Sequence, residues 1–184
     1  MLINILNNFS EYHFSIFIAN YNNMQNVKAI APLQSWDIFS EYLVARATKA
    51  ARELDYSQVA DFISKYNWDF DTSLLATEDF TTIVVTDRDQ VIQWVNSGFT
   101  EMTGYPRNHA VGKHPRFLQG PETSKETKEV ISNTLRLEKP VVKQLLNYKK
   151  DGTPYLCDIK IIPLFNKDQE LTHFMALEKK ARVA

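Results

Sequence analysis

Apolar positions between residues 35 and 66 recur at steps of three and four, the spacing of one face of an α-helix. The first part of this stripe consists of Trp36, Phe39, Leu43, Ala47, Ala50 and Leu54. The second part consists of Val59, Phe62, Ile63 and Tyr66. Between them, Asp55 with Gln58 three residues later forms an acidic variant of the capping box, which predicts a new helix start. The pattern therefore predicts a helical hairpin, followed by a polar linker, NWDFDTSLLATEDF.

After Phe80 the hydrophobic period changes from that of a helix to that of a strand. The β-branched runs TTIVVTD and QVIQWVN, separated by DRDQ, predict a β-hairpin. Three further strands are predicted at Val141–Lys149, Thr153–Leu164 and Glu170–Lys179, the first two joined by the turn sequence KKDGTP. The sequence between the two groups predicts short helices, one of them capped by Thr123 and Glu126. This order predicts an α+β fold: a five-stranded antiparallel sheet with short helices on one face.

Length and composition limit the classes of protein that the chain can be. Its 184 residues suffice for one domain and an extension, and we place the boundaries at 1–30 (an extension, irregular in sequence), 31–72 (amphipathic helices) and 73–184 (the sheet domain). Residues 1–23 are either an upstream extension or the product of a start assigned ahead of Met24; they fit neither a signal peptide nor a membrane span.

The charge and the cysteine content limit which partners and which cellular compartment we expect for this chain. Lys plus Arg number 21 and Asp plus Glu number 22, so we expect neither nucleic acid nor a membrane as partner. The single cysteine, Cys157, excludes an internal disulfide and a cysteine-rich zinc site, which favours a reducing cytoplasm. An enzyme is not predicted, because the chain has five glycines, no glycine-rich nucleotide loop and no spacing typical of a catalytic triad.

Three segments of the sequence resemble the PAS superfamily and, within it, the light-oxygen-voltage (LOV) flavin photoreceptors. These segments are WVNSGFTEMTGY, RFLQGPET and LLNYKKDGTPY. The resemblance runs from about Phe80 to Glu178 and implies a PAS fold in the domain 73–184. In the LOV pattern the stretch before RFLQG ends in Asn-Cys, and that cysteine forms the light-driven bond to the flavin. Here the two positions are His114 and Pro115. Proline has no nucleophile, so the thiol photocycle is excluded at this position.

The resemblance also implies a pocket and its candidate contacts. Arg116, Gln119 and Asn147 match the family's contacts to the phosphate chain and the ring, although Arg116 and Gln119 hold only the short helices together in many PAS modules. Four polar contacts are changed, and the residues now at those positions are His114, Ser132, Cys157 and Glu178. If each loss costs about 1–1.5 kcal/mol, the sum of roughly 4–6 kcal/mol lowers affinity by a factor of a thousand to ten thousand. The cofactor is therefore left open: weakly bound flavin mononucleotide (FMN), another flavin, or no flavin.

Strand alternation assigns two of these residues to the pocket side, each with an alternative interpretation. Cys157 is either a small buried hydrophobe, which is the commoner case, or a redox or adduct-forming thiol. Glu178 is either solvated at a wet strand end or an inward carboxyl with a raised pKa, for which Lys143 is the candidate partner. His109 and His173 are predicted to lie on the surface. His114 lacks partners at ligand spacing, so we predict no metal site.

The opposite face of the predicted sheet is apolar as well. Its alternating positions are Val142, Leu146, Tyr148, Leu156, Ile162, Leu171, Met175 and Leu177. Such a surface is not left wet, so either the helices from Trp36 to Tyr66 or a second protomer should cover it. We therefore predict a non-catalytic sensory module that signals through these helices, through a homodimer or through a partner protein. The alternative is a cysteine-less flavin-binding sensor of blue light or redox state.

Overall fold

The structure, a computed structural model, describes residues 32–181, and describes side chains from Ile38 onwards. The predicted extension 1–30 and the question of Met24 lie outside the described residues. The helices are α1 (Pro32–Tyr66), α2 (Ser73–Thr77), α3 (Ser97–Thr103), α4 (Arg107–Ala110), a 3-10 helix (Pro115–Leu118) and α5 (Lys125–Arg136). The strands are β1 (Thr82–Asp87), β2 (Ile92–Val95), β3 (Val141–Tyr148), β4 (Pro154–Phe165) and β5 (Leu171–Lys180).

The five strands form one antiparallel sheet in the order β2-β1-β5-β4-β3. β5 lies at its centre and pairs with β1 on one side and β4 on the other. The first hairpin, β1-β2, and the last three strands are joined by the segment that carries α3 to α5. The predicted α+β fold with a five-stranded antiparallel sheet is confirmed.

The predicted helical hairpin is replaced by a single helix, α1. No glycine or proline, the strongest helix breakers, interrupts the chain near Asp55, so the helix continues through this position. The Asp55 carboxylate, which the capping pattern assigned to a helix start, is buried and accepts a hydrogen bond of 2.8 Å from the Asn96 amide. Residue contacts divide the chain between Lys49 and Ala50, so helix residues 50–66 belong to one compact unit with the sheet.

Helix residues 55–66 cover the outer face of the sheet over β1 and β5. Val59 is fully buried there, and Phe62, Ile63 and Tyr66 pack against the same cluster. The sheet contributes Ile83, Val85, Met175 and Leu177. Cover is incomplete towards the edge strand β3, where Val142 is 68% exposed. The helices therefore bury the apolar outer face over the centre of the sheet.

The predicted polar linker is largely part of this core. Trp68, Leu75 and Phe80 are each at most 4% exposed, and Leu75 lies in α2. The Trp68 indole N–H donates to the Thr172 hydroxyl at 2.9 Å, which fixes the segment on β5. The prediction was wrong because these apolar residues follow no regular period, so the pattern could not reveal that they are buried.

His173 is buried beneath this cover, which corrects the prediction of a surface residue. It is 6% exposed and lies on the outer face of β5. Its ring centroid is 4.2 Å from that of Tyr66 and 5.0 Å from that of Trp68. Both aromatic rings come from segments more than a hundred positions earlier in the chain, so the strand pattern alone gave no sign of them.

Candidate functional site

The inner face of the sheet and the short helices enclose a pocket of about 530 Å³. This volume falls in the range of small-molecule sites. Its apolar floor comes from the strands and includes Val84, Leu145, Ile159, Ile161, Phe174 and Ala176. Its polar lining includes Thr86, His114, Arg116, Gln119, Lys125, Lys128, Ser132, Asn147 and Glu178. The pocket therefore combines an apolar slot with polar groups at its rim and floor.

The 3-10 helix forms one wall, and His114 fixes its start. His114 is the N-cap residue, and its Nδ1 accepts the backbone N–H of Arg116 at 3.2 Å. Pro115 follows at the first helical position, where its missing N–H costs nothing. Burial lowers the pKa of His114, and the nearby Arg116 guanidinium lowers it further. His114 is therefore a neutral hydrogen-bonding wall residue at neutral pH.

The segment after the 3-10 helix is held against the end of β3. A Cβ at Gly120 would clash with the ring of Tyr148, so a larger residue at this position would have to displace that ring. The Thr123 hydroxyl donates to the Leu146 carbonyl at 2.7 Å and accepts the Gly120 N–H at 2.9 Å. Thr123 is therefore a tether between loop and strand, and Ser124 caps α5 in place of the predicted Thr123.

Two buried polar atoms on residues that line the pocket have no hydrogen-bond partner among the described residues. They are the Thr86 hydroxyl oxygen and Asn147 Oδ1, on residues that are 6% and 4% exposed. Buried polar atoms are nearly always paired in folded proteins, and an unpaired one costs roughly 1–3 kcal/mol. A ligand or solvent that enters the pocket can supply the missing partners.

Glu178 is the buried carboxyl of the pocket, which rules out the interpretation as a solvated strand end. It is 5% exposed and lies between Thr82 of β1 and Ile159 of β4. Burial raises the pKa of Glu178 to about 7, partly offset by a hydrogen bond from the Cys157 thiol. The predicted partner, Lys143, is exposed, and Glu178 has no ion pair within residues 38–181.

Cys157 lies beside Glu178 and is not part of the pocket lining. Its sulfur is 3.7 Å from Glu178 Oε2, and the residue packs with Met102, Tyr155 and Ile159. Burial raises the pKa of the Cys157 thiol well above its usual range, and the Glu178 carboxylate raises it further. Since the thiolate is the reactive form, these surroundings favour the interpretation as a small buried hydrophobe.

Lys125 and Lys128 line the rim of the pocket, and the sequence analysis did not select them. Both lie in the first turn of α5, three positions apart, so they share one face of that helix. Together with Arg116 they give the rim three cations. The signal that would have found them is the i, i+3 spacing of basic residues on the face that also carries Ser132.

Residues 32–181 contain no group of three or more His, Cys, Asp or Glu that is arranged to hold a metal ion. Within the same described range, no helix combines the length and the apolar character needed to cross a membrane.

The sheet order and the inner pocket define the class, and comparison with known families agrees. A sequence profile of the PAS domain matches residues 79–179, more than half of the chain. The chain therefore belongs to the PAS domain family.

Its relatives include blue-light photoreceptors with LOV domains, as the resemblance predicted. A blue-light-activated histidine kinase of Brucella anthropi is 39% identical over 88 residues, 48% of this chain and 18% of the kinase. A blue-light photoreceptor of Listeria monocytogenes is 34% identical over 100 residues, 53% of this chain and 39% of the photoreceptor. The chain thus spans well under half the length of these relatives.

Solved structures give the same result. The light-state LOV domain of the blue-light photoreceptor Aureochrome1 has a TM-score of 0.55 and 28% identity, covering 56% of this chain and 83% of that one. The LOV domain of a blue-light activated histidine kinase from Erythrobacter litoralis has a TM-score of 0.53 and 28% identity, with coverages of 58% and 99%. The chain thus shares its fold with LOV domains.

Proposed function

We propose that this chain is a non-catalytic sensory module that works without the cysteinyl–flavin photocycle. A small ligand in the inner pocket changes the strands beneath it, and helix residues 50–66 on the outer face transmit the change. The observation that carries this proposal is the two-sided use of β5. Phe174 and Ala176 line the pocket, while Met175 and Leu177 between and after them lie in the cluster that holds α1. A shift of β5 therefore moves both surfaces.

A filled pocket tests this proposal without knowledge of the natural ligand. Ala176→Leu adds volume to the pocket, and overpacking of this kind strains neighbours by about 1–3 kcal/mol. The expected result is faster hydrogen–deuterium exchange of the amides of residues 55–66. Val142→Leu, on the exposed part of β3, is the matched control and should leave the exchange of these amides as it is in the unmodified chain. Unchanged exchange in residues 55–66 of Ala176→Leu would refute the coupling.

A second candidate function is a cysteine-less flavin sensor of blue light or redox state. Its support is the LOV relatives together with the unpartnered Thr86 and Asn147 atoms in the pocket. For FMN, Arg116, Lys125 and Lys128 would hold the phosphate, while Asn147 and Glu178 would meet the ring. When bound, a flavin supplies blue-light absorption and electron transfer. Pro115 offers no thiol, so this chain's residues hold and orient the ring but form no bond to it.

The absorption spectrum of the purified protein separates the two candidates. A yellow preparation whose flavin bands bleach under blue light and recover in the dark would support the flavin sensor. A colourless preparation that takes up no added FMN would reject it and leave the ligand-sensing module.

We also propose a surface through which the signal leaves this chain. On α1, large apolar side chains from Ile38 to Val44 are about half exposed or more, and we propose a second copy of the chain or a signalling partner as their occupant. Light scattering tests the homodimer. Val44→Lys should lower the measured molar mass from that of a dimer to that of a monomer, whereas the control Ala60→Lys should leave it unchanged.

The compartment that we propose is the cytoplasm. The single cysteine is buried and forms no disulfide, which favours a reducing environment.

A further inference from the structure

The Glu178 carboxyl is buried, and no cation within residues 38–181 forms an ion pair with it. Its hydrogen bond comes from the Cys157 thiol, with 3.7 Å between sulfur and Oε2, and a thiol is a weak donor. In the sheet it is flanked by Thr82 and Ile159, neither of which carries a charge. An isolated buried carboxylate is costly, so such a group keeps its proton or acquires a partner.

The groups that face Glu178 from the neighbouring elements are neutral. On β4, burial raises the pKa of both the Cys157 thiol and the Tyr155 phenol, so both keep their protons. On β1, the Thr82 hydroxyl donates to the sulfur of Met102 on α3. On β3 the lining residue is the amide Asn147. The charged or titratable residues elsewhere in the lining are His114, Arg116, Lys125, Lys128 and Glu129, none of which forms an ion pair with Glu178.

Glu178 also lines the ligand pocket, so its proton can point at a ligand. A protonated carboxyl is a hydrogen-bond donor, whereas an ionised one only accepts. An ionised Glu178 would therefore repel a carbonyl oxygen or a ring nitrogen that the protonated form binds. The protonation state of this residue therefore decides whether a ligand edge with hydrogen-bond acceptors or one with donors can bind beside it.

We propose that Glu178 in its protonated form donates a hydrogen bond to an acceptor atom on a planar, uncharged ligand edge, so that ligand binding is coupled to retention of one proton. At high pH the carboxylate takes up one proton from solvent when the ligand binds, and no other covalent bond forms or breaks. The inference rests on the proposed function, because it requires a ligand in the inner pocket.

Riboflavin is the probe, because it offers carbonyl and ring-nitrogen acceptors and lacks the phosphate that titrates in FMN. Its dissociation constant is measured by fluorescence between about pH 6.5 and 8.5. In this range His114 stays neutral, because its pKa is lowered. The dissociation constant should rise towards tenfold per pH unit above the pKa of the carboxyl. Calorimetry in two buffers of different ionisation enthalpy should show proton uptake approaching one per ligand at the upper end.

Glu178→Gln is the decisive variant, because it keeps the shape and a donor N–H but cannot titrate. Its dissociation constant should be independent of pH over the same range. Glu101→Gln, at an exposed position on α3, is the matched control and should keep the slope of the unmodified chain. Riboflavin binding with no pH slope in the unmodified chain would overturn the inference and leave the flavin candidate standing.

A titration without ligand tests the protonation of Glu178 separately from the binding of a flavin. Carbon-13 resonances of the glutamate carboxyl groups are followed against pH, and the Glu178 signal is assigned by its loss in Glu178→Gln. A midpoint near neutrality supports the protonated carboxyl, whereas a midpoint at the ordinary glutamate value overturns it. If riboflavin and FMN fail to bind at any pH, the flavin candidate falls, and this titration alone then decides whether Glu178 keeps its proton near neutral pH.

Discussion

Asn96 joins three parts of the domain by side-chain hydrogen bonds. Its Oδ1 accepts the backbone N–H groups of Ile83, at 3.0 Å, and Phe99, at 3.3 Å. Its Nδ2 donates to Asp55 Oδ2 at 2.8 Å and to the Thr81 carbonyl at 3.1 Å. One buried amide therefore caps α3 and ties α1 to the first hairpin.

Replacing Asn96 by alanine should reduce the free energy of unfolding by about 2–4 kcal/mol, because it removes a helix cap and leaves the Asp55 carboxylate buried without its donor. Urea unfolding followed by tryptophan fluorescence measures the change. Asn133→Ala, at an exposed position of α5, should stay within about 0.5 kcal/mol of the unmodified chain. Equal stabilities for the two variants would contradict this role of Asn96.

His173 should make the protein less stable in mild acid. Burial lowers the pKa of His173, although the Asp87 carboxylate opposes this effect. Below about pH 6.5, the ordinary histidine value, the unfolded chain therefore binds a proton that the folded chain resists, and stability falls until the pH passes the lowered pKa. Urea unfolding at several pH values should show a smaller acid loss for His173→Gln than for the unmodified chain. An identical pH dependence would refute the assignment.

At the residue scale, the sequence predicted inward positions better than contacts. Asn147 and Glu178 line the pocket because alternation along a strand fixes which face each residue occupies. Alternation could not reveal that Lys143 is exposed and forms no ion pair with Glu178, or that Cys157 lies beside the carboxyl, outside the pocket lining. It also could not place Tyr66 and Trp68 over His173, because those contacts join distant parts of the chain.

At the scale of elements, α1 combines two environments in one helix. Val59 is fully buried in the outer-face cluster, whereas Val44 is 65% exposed. The apolar spacing is similar in both parts, so the sequence predicted helix correctly but could not show which part is covered. The predicted turn at Asp55 failed for a related reason: a carboxylate beside an apolar run serves equally as a cap or as a buried hydrogen-bond acceptor.

Val59→Ala should therefore lower the free energy of unfolding by about 1.5–3 kcal/mol, since it removes buried methyl groups and leaves a cavity. Val44→Ala removes the same groups from an exposed position of the same helix and should change stability by less than about 0.5 kcal/mol. Thermal and urea unfolding of both variants check the difference. Similar losses would mean that the two parts of α1 are equally buried.

At the scale of the molecule, the sheet separates a ligand face from a helix face. The strands were predicted within a residue or two, because β-branched runs and the Asp-Gly turn mark them. The pocket between sheet and short helices was implied by the family resemblance. The second core, on the outer face, was predicted only as a surface in need of cover.

Removal of that cover should expose the outer core. A chain that begins at Ser73 lacks α1 and Trp68, so we expect oligomers or aggregates in light scattering. A chain that begins at Ala50 keeps the second compact unit and should stay soluble. A soluble, monomeric Ser73 fragment with unchanged stability would contradict the importance of the outer core.

The central strand β5 carries both titrating groups, on opposite faces. Glu178 has a raised pKa, so its contribution to stability is full below about pH 4.5 and is lost as the pH rises through about 7. His173 has the opposite effect, because its lowered pKa reduces the free energy of unfolding as the pH falls. A rise in pH towards about 7 therefore weakens the sheet from its ligand side, and a fall in pH below about 6.5 weakens it from its helix side. The two faces of one strand thus respond to pH in opposite directions, and the domain resists unfolding best in mildly acidic conditions.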